Sequence, residues 1–360
     1  MTIRFDVADL ALDAALGREW LVSNGIGGYA SGTIAGINTR RYHGLLIAAI
    51  DPPVNRMVLL AELEEWLLPP MGDPIGLSAQ EYWDGTIFPD GFHRLESVEI
   101  DGMLPCFHWR VGERLVEKRL WMGAGINRTL ITYRLLEGDP VTIRIRPLFA
   151  HRDYHEQRHG PGGFDIAETD AGWIIDAAGV RSYLEARPAP VISSRPDWYW
   201  RVLHRAERDR GLDFEEDLFT PGVLELRLEP GNDVLLAVGT DPLPPGWNAA
   251  GSRAVAERRQ SAGLGPAPMS SLATQLSIAA EQFRVARDGS RTLIAGYHWF
   301  TDWGRDSMIS LPGLAMRPGG LWEARAVLQT NFDHLDQGLI PNRFPDRGAA
   351  PAYNTMDATL

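Results

Sequence analysis

A chain of 360 residues, 44% hydrophobic and 23% charged, has the composition of an ordinary globular protein, which excludes a mainly disordered or fibrous one. It also exceeds the length at which one hydrophobic core stops growing, so more than one domain is expected. Lys and Arg number 35 against 47 Asp and Glu, a net charge of −12 that argues against a nucleic-acid partner. Cys106 is the single cysteine, so neither a disulfide framework nor a thiolate metal site is expected. The acidic start lacks the apolar core of a signal peptide, and no run of about 18 apolar residues could cross a membrane. A cytoplasmic protein without a membrane partner is the expectation.

Residues 1–261 read as β-rich. Near their start, Gly25-Ile26-Gly27-Gly28-Tyr29-Ala30 fits a G-x-G-x-x-A dinucleotide fingerprint, with Asp51 at a suitable distance. That mechanism needs a helix facing the pyrophosphate, and Gly32, Gly36, Asn38 and Gly44 break any helix that follows. Two glycine-linked strands fit better. Strand-like runs follow at 114–122 and 129–138. At 141–146, Val141, Ile143 and Ile145 alternate with Thr142, Arg144 and Arg146. His155-Glu156-Gln157-Arg158-His159 matches the HExxH zinc-protease pattern, but it runs into Gly160-Pro161-Gly162-Gly163 and reads as a polar loop. Further strands are expected at 223–230 and 232–239. Short strands separated by Gly, Pro and Asp imply an antiparallel sandwich.

The character changes at 262–271, a small-residue linker. Leu272, Leu276, Ala279, Ala280 and Phe283 then recur at helical spacing, with Ser270 or Ser271 as cap. A second helical pattern runs from Leu321 through Leu335. Between them lies GYHWFTDWGRDSMISLPGL (296–314), read as a long loop, and a Pro-rich loop leads to YNTMDATL (353–360).

Trp is abundant, 12 against 9 Tyr, and most are expected in cores. The stretch 297–306 differs, because two Trp, two Asp and an Arg within ten residues are hard to bury. Trp faces that stack on a pyranose, beside Asp and Arg that hydrogen-bond its hydroxyls, would make a carbohydrate pocket. An ion pair of Arg305 with Asp302 or Asp306 beneath a Trp lid is the alternative. Asp357 reads as a helix N-cap or as the proton donor of a glycosidase, a reaction that generally needs two carboxyl groups flanking the scissile bond.

The run GYHWFTDWGRDSMISLPGL, with LIPNRFPDRGAAPAYNTMDATL after it, resembles the start of the catalytic domain of bacterial and archaeal glycogen debranching enzymes, the amylo-α-1,6-glucosidase family. EWLVSNGIGGYASGTIAGINTRRYHGLLIA (19–48), GFHRLES (91–97), RDYH (152–155) and RGLDFEEDLFTPG (210–222) are similar to its N-terminal domain. The resemblance implies a β-sandwich-like domain (1–261), a linker (262–271) and the first helices of an incomplete (α/α)6 barrel (272–360). It implies hydrolysis of the α-1,6-linked glucose left at trimmed glycogen branches, with inversion and with neither metal nor organic cofactor. Asp357 resembles the general acid, Arg305 and Asp306 resemble residues that grip the terminal glucose, and Trp299, Asp302 and Trp303 would line the same pocket. The family's general base, a Glu late in the barrel, has no counterpart here, so the chain is expected to be an inactive fragment. Should it nonetheless act alone, Asp302 is the first candidate for the base. A glucoamylase-like or trehalase-like hydrolase and a non-catalytic glycan-binding protein remain as alternatives.

Overall fold

A computed structural model describes the chain apart from Met1, residues 265–269, 317–319 and 345–349, Asp357 and Leu360. Antiparallel strands dominate it. The alternation at 141–146 plays out residue by residue within the strand Val141–Asp153: Val141, Ile143 and Ile145 are buried, and the polar residues between them are half-buried. The other runs fall in the strands Arg114–Met122, Arg128–Glu137, Glu215–Leu228 and Val234–Gly239.

Two large sheets result. One has nine strands, with Thr2–Asp6 at one edge, Phe164–Thr169 at the other, and Arg128–Glu137 paired with Val234–Gly239 near its centre. The other runs Val191–Leu203, Glu215–Leu228, Val141–Asp153, Val54–Leu68, Gly44–Asp51, Tyr29–Thr33 and Glu19–Ser23, with the short Ile75–Gly76 added to Val54–Leu68. Alternate residues of both sheets meet in one core, to which the second contributes Ile143, Ile145 and Leu224 and the first Leu130, Leu236 and Trp121. The second sheet has another apolar cluster, Tyr29, Tyr42, Ile47, Val58, Leu148 and Tyr154, covered by Val285, Ile294 and Tyr297 from the later chain.

Two small two-stranded sheets and several helices complete the described fold, and two of the helices correct the sequence reading. Ala249–Gln260 lies inside the stretch read as β-rich. Its apolar residues are mostly alanines, too weak a stripe to stand out, yet Asn248 caps it and Ala256 joins the sandwich core. Gly304–Ala315 lies inside the stretch read as a loop, with Pro312 in its last turn. Proline there removes one internal hydrogen bond close to a helix end that was due in any case. The two expected helices form as Ser271–Gln282 and Gly320–Phe332, and the Ser270 hydroxyl accepts from the Ala273 N–H at 3.2 Å.

The G-x-G-x-x-A segment is the turn between the antiparallel strands Glu19–Ser23 and Tyr29–Thr33, with no helix after it. Gly25 and Gly27 adopt φ of 83° and 96°, and a Cβ on Gly27 would lie 2.2 Å from the Pro53 carbonyl oxygen. The HExxH segment runs as turn and coil, so no helical face aligns its two imidazoles. His155 Nδ1 meets the Tyr42 hydroxyl at 3.1 Å, and His159 Nε2 meets the Asp213 carboxylate at 2.6 Å.

Gly27→Ala combines backbone strain with a collision, whereas Gly36→Ala, at φ 78° with nothing within 4 Å, meets strain alone. The strain is common to both and amounts to about 1–3 kcal/mol. Urea unfolding of the two variants should therefore show the larger loss for Gly27→Ala; equal losses would mean that the Pro53 contact relaxes freely.

Candidate functional site

The segment 283–303 is laid down on the second sheet by aromatic contacts and one buried cation. Tyr29 and Tyr297 pack with ring centroids 5.1 Å apart, and the Tyr297 hydroxyl donates to the Gln282 carbonyl at 2.6 Å. Ser23 grips the same turn, its N–H and hydroxyl both meeting the Gln282 side-chain oxygen (2.8 and 2.6 Å). Arg56 is fully buried. Its guanidinium donates to the carbonyls of Tyr297 and Phe300 and to the Tyr154 hydroxyl, and it lies 4.3 Å from the centre of the Tyr154 ring. Among the described residues no carboxylate pairs with it.

This clamp holds Trp299 in a backbone conformation that side chains rarely adopt, φ 123°. The Tyr154 hydroxyl also reaches the Trp299 carbonyl, at 3.4 Å. The indole is 40% exposed, rests against Tyr42 (5.8 Å) and has the Arg210 guanidinium 5.5 Å from its centre. Stretches far apart in sequence, 40–44, 152–155 and 210–216, thus converge beside one Trp. Arg152 is bound there to Glu216 (2.8 Å) and to the Arg41 carbonyl (2.8 Å).

The other candidates lie a few residues on. Trp303 is the N-cap of the helix Gly304–Ala315, and Arg305 and Asp306 occupy its first turn, where the helix dipole favours a carboxylate. Asp306 borders a cavity of about 450 Å³ with Phe283, Arg284 and Ser307. Asp302 turns inward instead: it is buried, and its Oδ2 receives Arg287 at 2.8 Å while Oδ1 has no hydrogen-bond partner. The ion pair of Asp302 is therefore with Arg287 of the hairpin Arg284–Arg287/Ser290–Leu293. Arg343 bridges Trp303 on one side and Ala352 on the other, and Asn342 accepts from Gly304 N–H at 2.9 Å. The segment 342–344 thus lies between 303–304 on one side and 352–354 on the other. Asp357 lies outside the described residues.

Sequence reasoning missed the polar cluster of Glu19, His43 and His298, whose members lie in the runs 19–48 and 296–314 but carry no local signal of one another. The Ser31 hydroxyl donates to the Trp20 carbonyl (2.7 Å), so it accepts from His298 Nε2 (2.7 Å). His43 Nδ1 accepts from the Thr39 N–H (3.1 Å), which leaves its Nε2–H to donate to Glu19 (3.0 Å). Burial lowers His298 to about 3 against the pull of the Glu19 carboxylate, so it is neutral. Burial works to raise the Glu19 carboxyl, but hydrogen bonds from His43 and Arg40 outweigh it and hold the group at about 2. These three side chains stand within metal-ligand range of one another, but both nitrogens of His43 are already committed, so the donor set does not suit a metal ion.

Burial pushes the Asp302 carboxyl from 3.8 up to about 6, and the Arg287 charge opposes the rise. An acid whose folded value lies above its unfolded one holds its proton more tightly in the fold. Its contribution is complete at low pH and is lost as pH climbs through about 6. Arg287→Met should therefore cost little stability at pH 5, where Asp302 can take a proton, and about 3–5 kcal/mol at pH 8, where an uncompensated buried carboxylate remains. Urea midpoints at the two pH values check this; equal losses would remove charge from the explanation.

Residues 18–235 match the family described as "Glycogen debranching enzyme N terminal", and residues 278–360 match "Amylo-alpha-1,6-glucosidase". No curated protein matches the chain. Among solved structures, a bacterial glucoamylase complexed with acarbose is similar over 93% of this chain and 52% of its own, at 8% identity and a TM-score of 0.54. A "Putative kojibiose phosphorylase from human microbiome" aligns over 77% of this chain and 37% of its own, at 8% identity and a TM-score of 0.34. The chain thus spans about half the length of the glucoamylase whose fold it shares. With the first match alone extending over more than half of its residues, the chain belongs to the glycogen debranching enzyme family.

Proposed function

We propose that this chain carries the glucose-gripping side of an amylo-α-1,6-glucosidase active site, working by an inverting mechanism on branched α-glucan. The observation that carries the reading is the clamped aromatic at the mouth of the 297–306 segment, within the part of the chain matched to that enzyme family. A half-exposed Trp held in a strained conformation is preorganised to receive a flat apolar sugar face. Arg305 and Asp306, on a helix first turn, would hydrogen-bond the hydroxyls of the terminal glucose, with Trp299 and Trp303 as walls. Asp302 would act from beneath, fixing the turn through Arg287.

Asp357 would protonate the leaving glycosidic oxygen. Inversion then requires a second carboxylate, about 6.5–9.5 Å from the first, to activate water on the opposite face of the sugar. A neutral binding role without chemistry is the competing reading, and the exposed aromatics of the β-sheet favour it.

The two separate in one assay on phosphorylase-limit dextrin. The chain should bind the dextrin, and Arg305→Ala should weaken binding about tenfold, in line with losing a charge-assisted hydrogen bond. Any glucose released should appear first as the β-anomer and fall about 10²–10⁴-fold in Asp357→Asn. Binding untouched by Arg305→Ala, or release equal in Asp357→Asn, would overturn the assignment.

A further inference from the structure

Beyond the 297–306 segment, the second sheet has an open groove with no part in the chemistry above. Its main hollow, about 760 Å³, is bordered by Trp198, Tyr199 and Trp200 on the edge strand Val191–Leu203 and by Tyr82. A neighbouring hollow of about 380 Å³ shares Tyr82, Tyr199, Arg144 and Arg146 with it and adds Trp66 and Phe88, so the two form one continuous channel. The channel has three aromatic stations. Trp198 and Trp200 stack at one end (5.8 Å, 27°), Tyr199 and Tyr82 lie in the middle, and Trp66 packs with Phe88 (5.5 Å) at the other end.

Some of these rings are open and others are fixed. Trp200 is 47% and Phe88 54% exposed, a cost in water that single scattered residues bear but a row of them seldom does. Glu64 accepts from Trp66 Nε1 (3.0 Å), from Arg146 (2.6 Å) and from the Tyr199 hydroxyl (3.2 Å), which sets the planes of two stations. Charge is balanced: Arg144, Arg146 and Arg195 face Glu225, Asp197 and Glu64, with Arg144 bound to Glu225 at 2.7 Å. A channel without net charge does not select an anion. Spaced aromatic faces with planar hydrogen-bonding groups between them suit a neutral chain of ring-shaped polyhydroxyl units.

We infer that this channel is a second carbohydrate site that holds a linear α-1,4-glucan stretch of the branched substrate. The identity of the occupant rests on the function proposed above; the existence of the site rests on the channel. Part of the affinity for polymer then comes from a surface that takes no part in bond cleavage.

The test is titration of the whole chain with maltoheptaose, read by Trp fluorescence and calorimetry, and with phosphorylase-limit dextrin. The Trp198→Ala/Trp200→Ala variant should bind maltoheptaose at least tenfold more weakly, and the milder Trp200→Ala variant several-fold, with Trp200→Phe restoring most of the loss. Trp322→Ala, at an exposed Trp that borders neither hollow, should leave maltoheptaose affinity within twofold. Maltoheptaose affinity that falls with Trp299→Ala and is indifferent to the Trp200 variants overturns the second site. Limit-dextrin binding that persists without maltoheptaose binding overturns it too and leaves the proposed function standing, whereas failure of both ligands removes the function as well. Self-association that Trp200→Ala abolishes, with no sugar effect, would make the channel a protein interface and overturn the proposal.

Discussion

One buried guanidinium sets the terms for the rest of the structure. Arg56 sits under the 297–300 turn with no carboxylate partner among the described residues, so its charge is met by backbone carbonyls, a phenol oxygen and a ring face. A cation taken from water without such partners is expensive, and the carbonyls of a tight turn would be equally so. Each answers most of the other's need, with the buried Arg56 Nε left without a hydrogen-bond partner. The arrangement forces the turn onto the sheet at one position, and the unusual backbone of Trp299 follows from it. Site geometry here is a by-product of solvating a charge.

The same logic explains why the sheet face is polar in patches. Arg152 with Glu216 and Arg287 with Asp302 are buried or half-buried pairs, and His43 and the later chain's His298 both face the Glu19 carboxylate. Such groups add little net stability, but they tolerate few alternative registers. A purely apolar contact between sheet and turn would slide more freely.

Legibility in the sequence followed the strength of the local signal. The alternation of Val141, Ile143 and Ile145 and the Ser270 cap are period and capping chemistry written in consecutive residues, and the structure carries both. The helix Ala249–Gln260 was hidden because alanines make a faint stripe, and Gly304–Ala315 because Pro312 looks like an end even when it sits in a final turn. The abundance of Trp does not say where each one lies: Trp20, Trp109, Trp121 and Trp173 are buried, fewer than the core expectation, while Trp83, Trp200, Trp299 and Trp322 are exposed and the other four half-buried. Composition cannot say which ring finds a partner 100 residues away. Likewise Arg305 is the arginine nearest to Asp302 in sequence, whereas the structure pairs Asp302 with Arg287 of a hairpin 15 residues earlier.

The contact between Ser31 and His298 joins residues 267 positions apart, and the one between Arg56 and Phe300 spans 244. On a ribosome the strands that present Ser31 and Arg56 emerge long before the turn that covers them. For that interval the tyrosine-lined face of the second sheet is wet, and Arg56 is hydrated rather than held. Closure must wait until residue 300 has left the exit tunnel, so the turn closes long after its foundation is made.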